Sequence, residues 1–224
     1  MPFRWVEGLK SMSVQSVSRR AALACGAATI LMPGCAAATT WCSQSDASGE
    51  TTCTSGITIG QNETARQIRP HWCWAACIQT IFALHGYDVQ QNLIVHKVFG
   101  NDVDRSANGP EIMQAINGRW TGGRGKKFDA NGMVLWNHVD SFERPDALML
   151  AARELDSGNP LIFATEGHSM VLTAMTYRIN AYGEVTINSM TVRDPWPTAP
   201  NRRHLREDEI HNSGLLCAVE VTAA

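Results

Sequence analysis

Hydrophobic period changes once along this chain, at Asp156-Ser157-Gly158-Asn159-Pro160, and the change restricts the architecture sharply. Upstream, residues 72–85 carry Ala75, Ile78, Ile81, Phe82 and Leu84 in a largely apolar helix closed by Gly86. Residues 90–99 before Gly100, residues 110–116 before Gly118, and residues 146–155 read as three further helices. Downstream, residues 161–165, 169–178, 184–192 and 216–221 are β-branched or apolar runs separated by Gly167 and by residues 180–183. Helices followed by closely spaced strands predict an α+β fold, with N-terminal helices packed against an antiparallel β-sheet.

Composition narrows the class. In 224 residues, 44% are hydrophobic and 18% charged, too apolar for a disordered chain. The formal net charge of -2 gives no electrostatic hold on nucleic acid or an anionic membrane. Residues 1–38 read as an export signal: Arg19 and Arg20 precede a short apolar, Ala-rich run in the manner of a twin-arginine signal, without its usual Phe-Leu-Lys continuation. Two processing sites compete there, a lipobox-like Leu31-Met32-Pro33-Gly34-Cys35 that would lipidate Cys35, and Ala36-Ala37-Ala38. The apolar run is about 13 residues, short of the roughly 20 that cross a bilayer, so no integral membrane span is expected. Residues 39–59 read as a polar N-terminal arm, and residues 60–224 as one catalytic-sized domain, expected to be periplasmic or secreted and monomeric.

Chemistry gathers where the first helix begins, in Gln67-Ile68-Arg69-Pro70-His71-Trp72-Cys73-Trp74-Ala75-Ala76. A thiol at a helix N-terminus is biased toward the thiolate, and an imidazolium beside it lowers its pKa further. His168, after Gly167 at a strand start, is the candidate partner. Asp194, ending the next strand in Val192-Arg193-Asp194-Pro195-Trp196, is the candidate to orient its ring. Gln67 and the backbone N–H of Cys73 would then supply an oxyanion hole. Singly, each residue has a plainer reading: a buried structural thiol for Cys73, a half-buried histidine for His168, a turn opening for Asp194 and core packing for Trp196.

Together, Gln67, Cys73, Trp74, Ala75, His168, Asp194 and Trp196 resemble the papain-like cysteine peptidases over about residues 60–221, and Trp-Cys-Trp-Ala-Ala with Asp-Pro-Trp is most similar to their compact bacterial branch. The resemblance implies hydrolysis of a peptide or protein substrate through an acyl-enzyme, with no metal or organic cofactor. It also implies that Trp74 and Trp196 support the site. The 95 residues from Cys73 to His168 are fewer than the roughly 130 to 150 of plant-type enzymes, and Asp194 stands where those have Asn. Alternatives are the same triad used for another acyl transfer, as in transglutaminases, deamidases or peptidoglycan amidases, and a non-catalytic papain-like binding module. A zinc site on His71 and Cys73 lacks a second ligand pair at suitable spacing.

Seven cysteines then divide by task. Cys25 and Cys35 belong to the signal and Cys73 is the nucleophile. The other four allow three pairings. Cys42 with Cys53 closes the shorter loop, whereas Cys77 and Cys217 read as packed core thiols, with a bond between them as the alternative.

Overall fold

The computed structural model describes residues 37–60, 63–140, 142–144 and 146–224. Helix α1 (Cys73–Leu84) buries ten of its twelve residues, which accounts for apolar side chains all round it. α2 (Gln91–Phe99) and α3 (Gly109–Ile116) pack on the same side of the sheet as α1, and α4 (Ala147–Asp156) on the opposite side. α3 is fixed at its start by a capping box: Asn108 Oδ1 accepts from the Glu111 N–H and Glu111 Oε2 from the Asn108 N–H, each at 2.9 Å. A fifth helix, α5 (Glu207–His211), is a single turn.

Ten strands form one antiparallel sheet among the described residues: β1 (Ala37–Cys42), β2 (Thr51–Thr58), β3 (Gly118–Thr121), β4 (Lys127–Asn137), β5 (Phe142–Glu143), β6 (Leu161–Thr165), β7 (His168–Ile179), β8 (Val185–Arg193), β9 (Arg202–His204) and β10 (Ser213–Ala223). The path runs β1-β2-β7-β6-β10-β4-β3, with β8 on the other edge of β7 and β9 on β8. The α+β architecture, helices against an antiparallel sheet, is the one predicted from the change of period.

The central strands are apolar without interruption because both their faces are covered. Ile162 and Ala164 of β6, Val171 of β7, and Cys217 and Val219 of β10 pack with α1, α2 and α3. Their neighbours Leu161, Phe163, Met170, Leu172, Leu216 and Ala218 pack with α4 on the opposite face. α1 is therefore held between the sheet and two helices, and its N-terminus is placed as firmly as the core.

The stretch read as a polar arm is instead a hairpin of the sheet. β1 and β2 pair with each other, and β2 pairs with residues 174–179 of β7, beyond the half that β6 occupies. Cys53, Ser55, Ile57 and Ile59 alternate inward, while Thr52, Thr54 and Thr58 on the other face keep the mean composition polar. Gly56 permits the close approach of β7: a Cβ there would lie 2.7 Å from Ala174 Cβ. β4 runs for eleven residues through Asn131 and Gly132, which interrupt the apolar pattern of the strand. The export signal lies outside the described residues except for residues 37 and 38, which open β1, and Cys35 lies outside them altogether. No helix among the described residues is long and apolar enough to cross a membrane.

Candidate active site

Three elements meet at the candidate site. Cys73 opens α1, His168 opens β7 after the Gly167 turn, and Asp194 follows the last residue of β8. Gly167 has φ +80°, a left-handed conformation that a side chain would oppose, and it reverses the chain sharply enough for β6 and β7 to pair at Thr165 and His168. β8 pairs with β7 through Val171 and Arg193, so the end of β8 comes alongside the start of β7. Residues 26 apart in sequence are thereby brought into contact.

His168 Nε2 lies 2.8 Å from Asp194 Oδ1, and the same ring interacts with the Cys73 thiol. Nε2 is engaged by the carboxylate, which leaves Nδ1 as the nitrogen available to the thiol. Cys73 is 5% exposed and Asp194 3%, while the His168 side chain is 24% exposed. Trp196 stacks its edge against His168 with ring centroids 6.2 Å apart and is itself 43% exposed. It is thus not a core residue. Trp74 is buried, donates its indole N–H to Arg105 O at 3.1 Å and packs edge-on against Phe99.

Electrostatics favour a charged pair. Burial pushes the Cys73 thiol up, but the hydrogen bond from His168, the N–H groups of Ser169 and Trp74 and the imidazolium charge bring it below its ordinary 9.0. No side chain caps α1, which leaves first-turn N–H groups such as that of Trp74 to face the sulfur. Burial opposes a charge on His168, yet Asp194 and Cys73 together raise it from 6.5 to about 9. Asp194 also resists burial: bonds from His168, the Trp196 N–H and Arg203 hold it at about 2. An imidazolium with an ionised carboxylate behind it is the state these shifts describe at neutral pH, and its charge favours loss of the Cys73 proton.

Gln67 is 4% exposed and its backbone N–H donates to Pro195 O at 3.0 Å, which ties it to the Asp194 segment. Its amide differs from expectation. Nε2 donates to Arg69 O at 3.0 Å and Pro70 O at 2.8 Å, bracing the turn before α1, and Oε1 is buried with no hydrogen-bond partner. An amide so engaged must release one of these carbonyls before it can donate to an oxyanion. Several supporting residues carried no signal that singled them out. Arg66 Nη1 reaches the carbonyls of Asp194, Trp196 and Ala199 at 3.0, 2.6 and 3.1 Å, and Gln91 bonds Ile68 N and Arg66 O. Arg203 donates from Nε to Asp194 Oδ2 at 2.9 Å.

His71, the other half of the rejected zinc pair, is turned to the surface, where its Nδ1 lies 3.4 Å from Asp104. Cys42 and Cys53 are disulfide-bonded across β1 and β2, whereas Cys77 and Cys217 are reduced and fully buried. Two clefts flank Gly167. One of about 510 Å³ is lined by His168, Asp194, Trp196, Ala199, Arg203 and Arg206. A larger one of about 680 Å³ runs past Ala107, Asn137, Val139, Asp140, Glu166 and Leu215.

No protein-family model matches the chain, and no curated protein matches it significantly. Among solved structures it is similar to a double glycine motif protease from an AMS/PCAT transporter, in complex with its leader peptide. That match has 13% identity and a TM-score of 0.40, over 72% of this chain and 91% of the other. It is also similar to the peptidase domain of Streptococcus ComA, a bi-functional ABC transporter involved in quorum sensing, at 12% identity and a TM-score of 0.42, over 72% of this chain and 98% of that domain.

Proposed function

We propose that this chain is an exported papain-like cysteine peptidase that hydrolyses peptide bonds of a peptide or protein substrate. The observation that carries the reading is the continuous contact from Cys73 through His168 to Asp194, with the carboxylate 2.8 Å from the imidazole. Cys73 as thiolate attacks the scissile carbonyl, and the carbonyl π electrons move to oxygen. The Cys73 N–H and the Gln67 amide, turned from Pro70 O, hold the oxyanion. His168 protonates the leaving amine as the C–N bond breaks, leaving a Cys73 thioester. Neutral His168 then takes a proton from water, whose oxygen attacks the thioester and regenerates the thiolate–imidazolium pair. Asp194 stays ionised and fixes the ring throughout.

The flanking clefts give an extended substrate room on both sides of His168. The Cys42–Cys53 bond supports export, since such bonds persist in oxidising compartments. The test is cleavage of a peptide library that includes peptidoglycan stem peptides, by the native protein and by Cys73→Ala. Cleavage by the native protein alone is expected, with circular dichroism unchanged in the variant. Cleavage that survives in the variant, or a native protein that releases only ammonia from glutamine, would overturn the reading.

A further inference from the structure

Asp194 uses its two carboxylate oxygens for different neighbours. Oδ1 accepts from His168 Nε2 at 2.8 Å and from the Trp196 N–H at 2.9 Å, and Oδ2 accepts from Arg203 Nε at 2.9 Å. Arg203 gives its two terminal nitrogens to the two oxygens of Glu209, each at 2.8 Å, and Nη2 also meets Met170 Sδ at 3.0 Å. The side chains of Arg203 and Glu209 are 20% and 11% exposed, so the bonds are shielded and their geometry is fixed at both ends. β9 holds Arg203 through the Val192–Arg203 pairing, and the start of α5 holds Glu209, whose Oε2 also accepts from the Arg206 N–H at 2.9 Å. From Cys73 the charges alternate: thiolate, imidazolium, carboxylate, guanidinium, carboxylate.

We propose that Arg203 and Glu209 are positioning residues that hold the Asp194 carboxylate square to His168 and set the pH at which His168 gives up its proton. The inference rests on the catalytic reading of Cys73, His168 and Asp194. The guanidinium stands one carboxylate away from the imidazolium and opposes its charge, and Glu209 cancels much of that opposition. Removing Arg203 therefore leaves Asp194 acting on His168 alone, whereas removing the charge of Glu209 lets Arg203 oppose the imidazolium in full. The two losses act in opposite directions. A tie that merely fastened α5 to β9 would not distinguish them.

Other charged and titratable groups surround the pair. α1 brings Cys73 and, one turn on, Cys77; the turn before His168 brings Glu166. Arg66, from the segment before α1, spends itself on backbone carbonyls, and Arg193 of β8 on Asn201 Oδ1 and Ile59 O. His204 bonds Thr191, and Arg206 pairs with Asp208 at 3.0 Å and lies 3.7 Å from Glu209. Among the described residues, Arg203 is the cation that touches the Asp194 carboxylate from the side away from His168.

The test is the rate of Cys73 alkylation by iodoacetamide as a function of pH, read by mass spectrometry of the Cys73 peptide. The native profile should show a low inflection where the ion pair forms and a high one near pH 9 where His168 deprotonates. In Glu209→Gln the high inflection should fall by about one unit, in Arg203→Gln rise by about one unit, and in Arg203→Lys stay near the native position. Unchanged inflections in both Gln variants, or shifts in the same direction, would overturn the proposal. If Arg203→Gln does not fold, by circular dichroism, Glu209→Gln and Arg203→Lys decide it: an unmoved inflection in Glu209→Gln overturns it. A native profile with a single inflection near the ordinary thiol value of about 8.5 would instead overturn the catalytic reading itself.

Discussion

At the residue scale the site assigns unequal work to its three side chains. In the proposed mechanism His168 is donor, acceptor and counter-ion in turn, while Asp194, 2.8 Å from its Nε2, fixes its ring and charge. His168→Ala should therefore lower kcat/KM by several orders of magnitude, and Asp194→Ala by less, because an imidazole without its carboxylate still transfers protons. Steady-state kinetics on a cleaved library peptide would check this, and the reverse order would mean that the roles are misassigned. Cys73, His168 and Asp194 were legible because each sits at a recognisable break: a helix start, a Gly turn and an Asp-Pro. Arg203 and Glu209 were not, since an arginine on a short polar strand and a glutamate on a one-turn helix look like solvated surface. Only the pairing of β9 with β8, and the placing of α5 against Arg203, bring them to Asp194. The Gln67 amide shows the reverse: its position was legible, whereas its bonds to Arg69 and Pro70 depend on a turn that no pattern announces.

At the scale of elements, the helices and the central strands followed from period, which reports burial, and from glycines such as Gly86 and Gly100, whose positive φ ends a helix. The β1–β2 hairpin did not, because the outward face of β2 carries Thr52, Thr54 and Thr58 and only Cys53, Ser55, Ile57 and Ile59 point inward. That hairpin lies at the sheet edge and is closed by the Cys42–Cys53 bond over a separation of 11 residues. Replacing both cysteines by Ala should cost about 3 kcal/mol, read as a shift in the midpoint of urea unfolding. A loss within error of zero would show that the hairpin is held by its pairing with β7 alone. The bond also sets a condition for assay: a mild thiol should activate Cys73, and a strong one should weaken the edge of the sheet.

At the scale of the whole molecule, the shifted groups couple folding to pH in a way that differs from their effect on reactivity. Asp194 stands at about 2 when folded against an ordinary 3.8, so the folded state binds its proton less readily. Its contribution to stability is complete above 3.8 and is lost as pH falls through about 2. His168 is raised, so its contribution is complete below 6.5 and is lost as pH climbs through about 9. Cys73 is lowered from 9.0, so its own contribution grows over the same alkaline range and offsets that loss. In the proposed ion pair the proton passes from sulfur to nitrogen on folding near neutrality, so the proton count on unfolding hardly changes. Thermal melts should accordingly show a nearly constant midpoint from about pH 6.5 to 8 and an acid-side fall that Asp194→Asn reduces. An acid-side fall as steep in Asp194→Asn as in the native protein would remove Asp194 as its cause.

The central claim is that Cys73 is a thiolate held by His168 at neutral pH, and alkylation of the native protein tests it directly. Brief exposure to iodoacetamide at about pH 6.5, followed by peptide mass spectrometry, compares the three reduced thiols among the described residues. The account predicts rapid labelling of Cys73, none of Cys77 or Cys217, whose thiols burial raises, and a large loss of Cys73 labelling in His168→Ala. Labelling of Cys73 that begins only above about pH 8, or that is equally fast without His168, would contradict it.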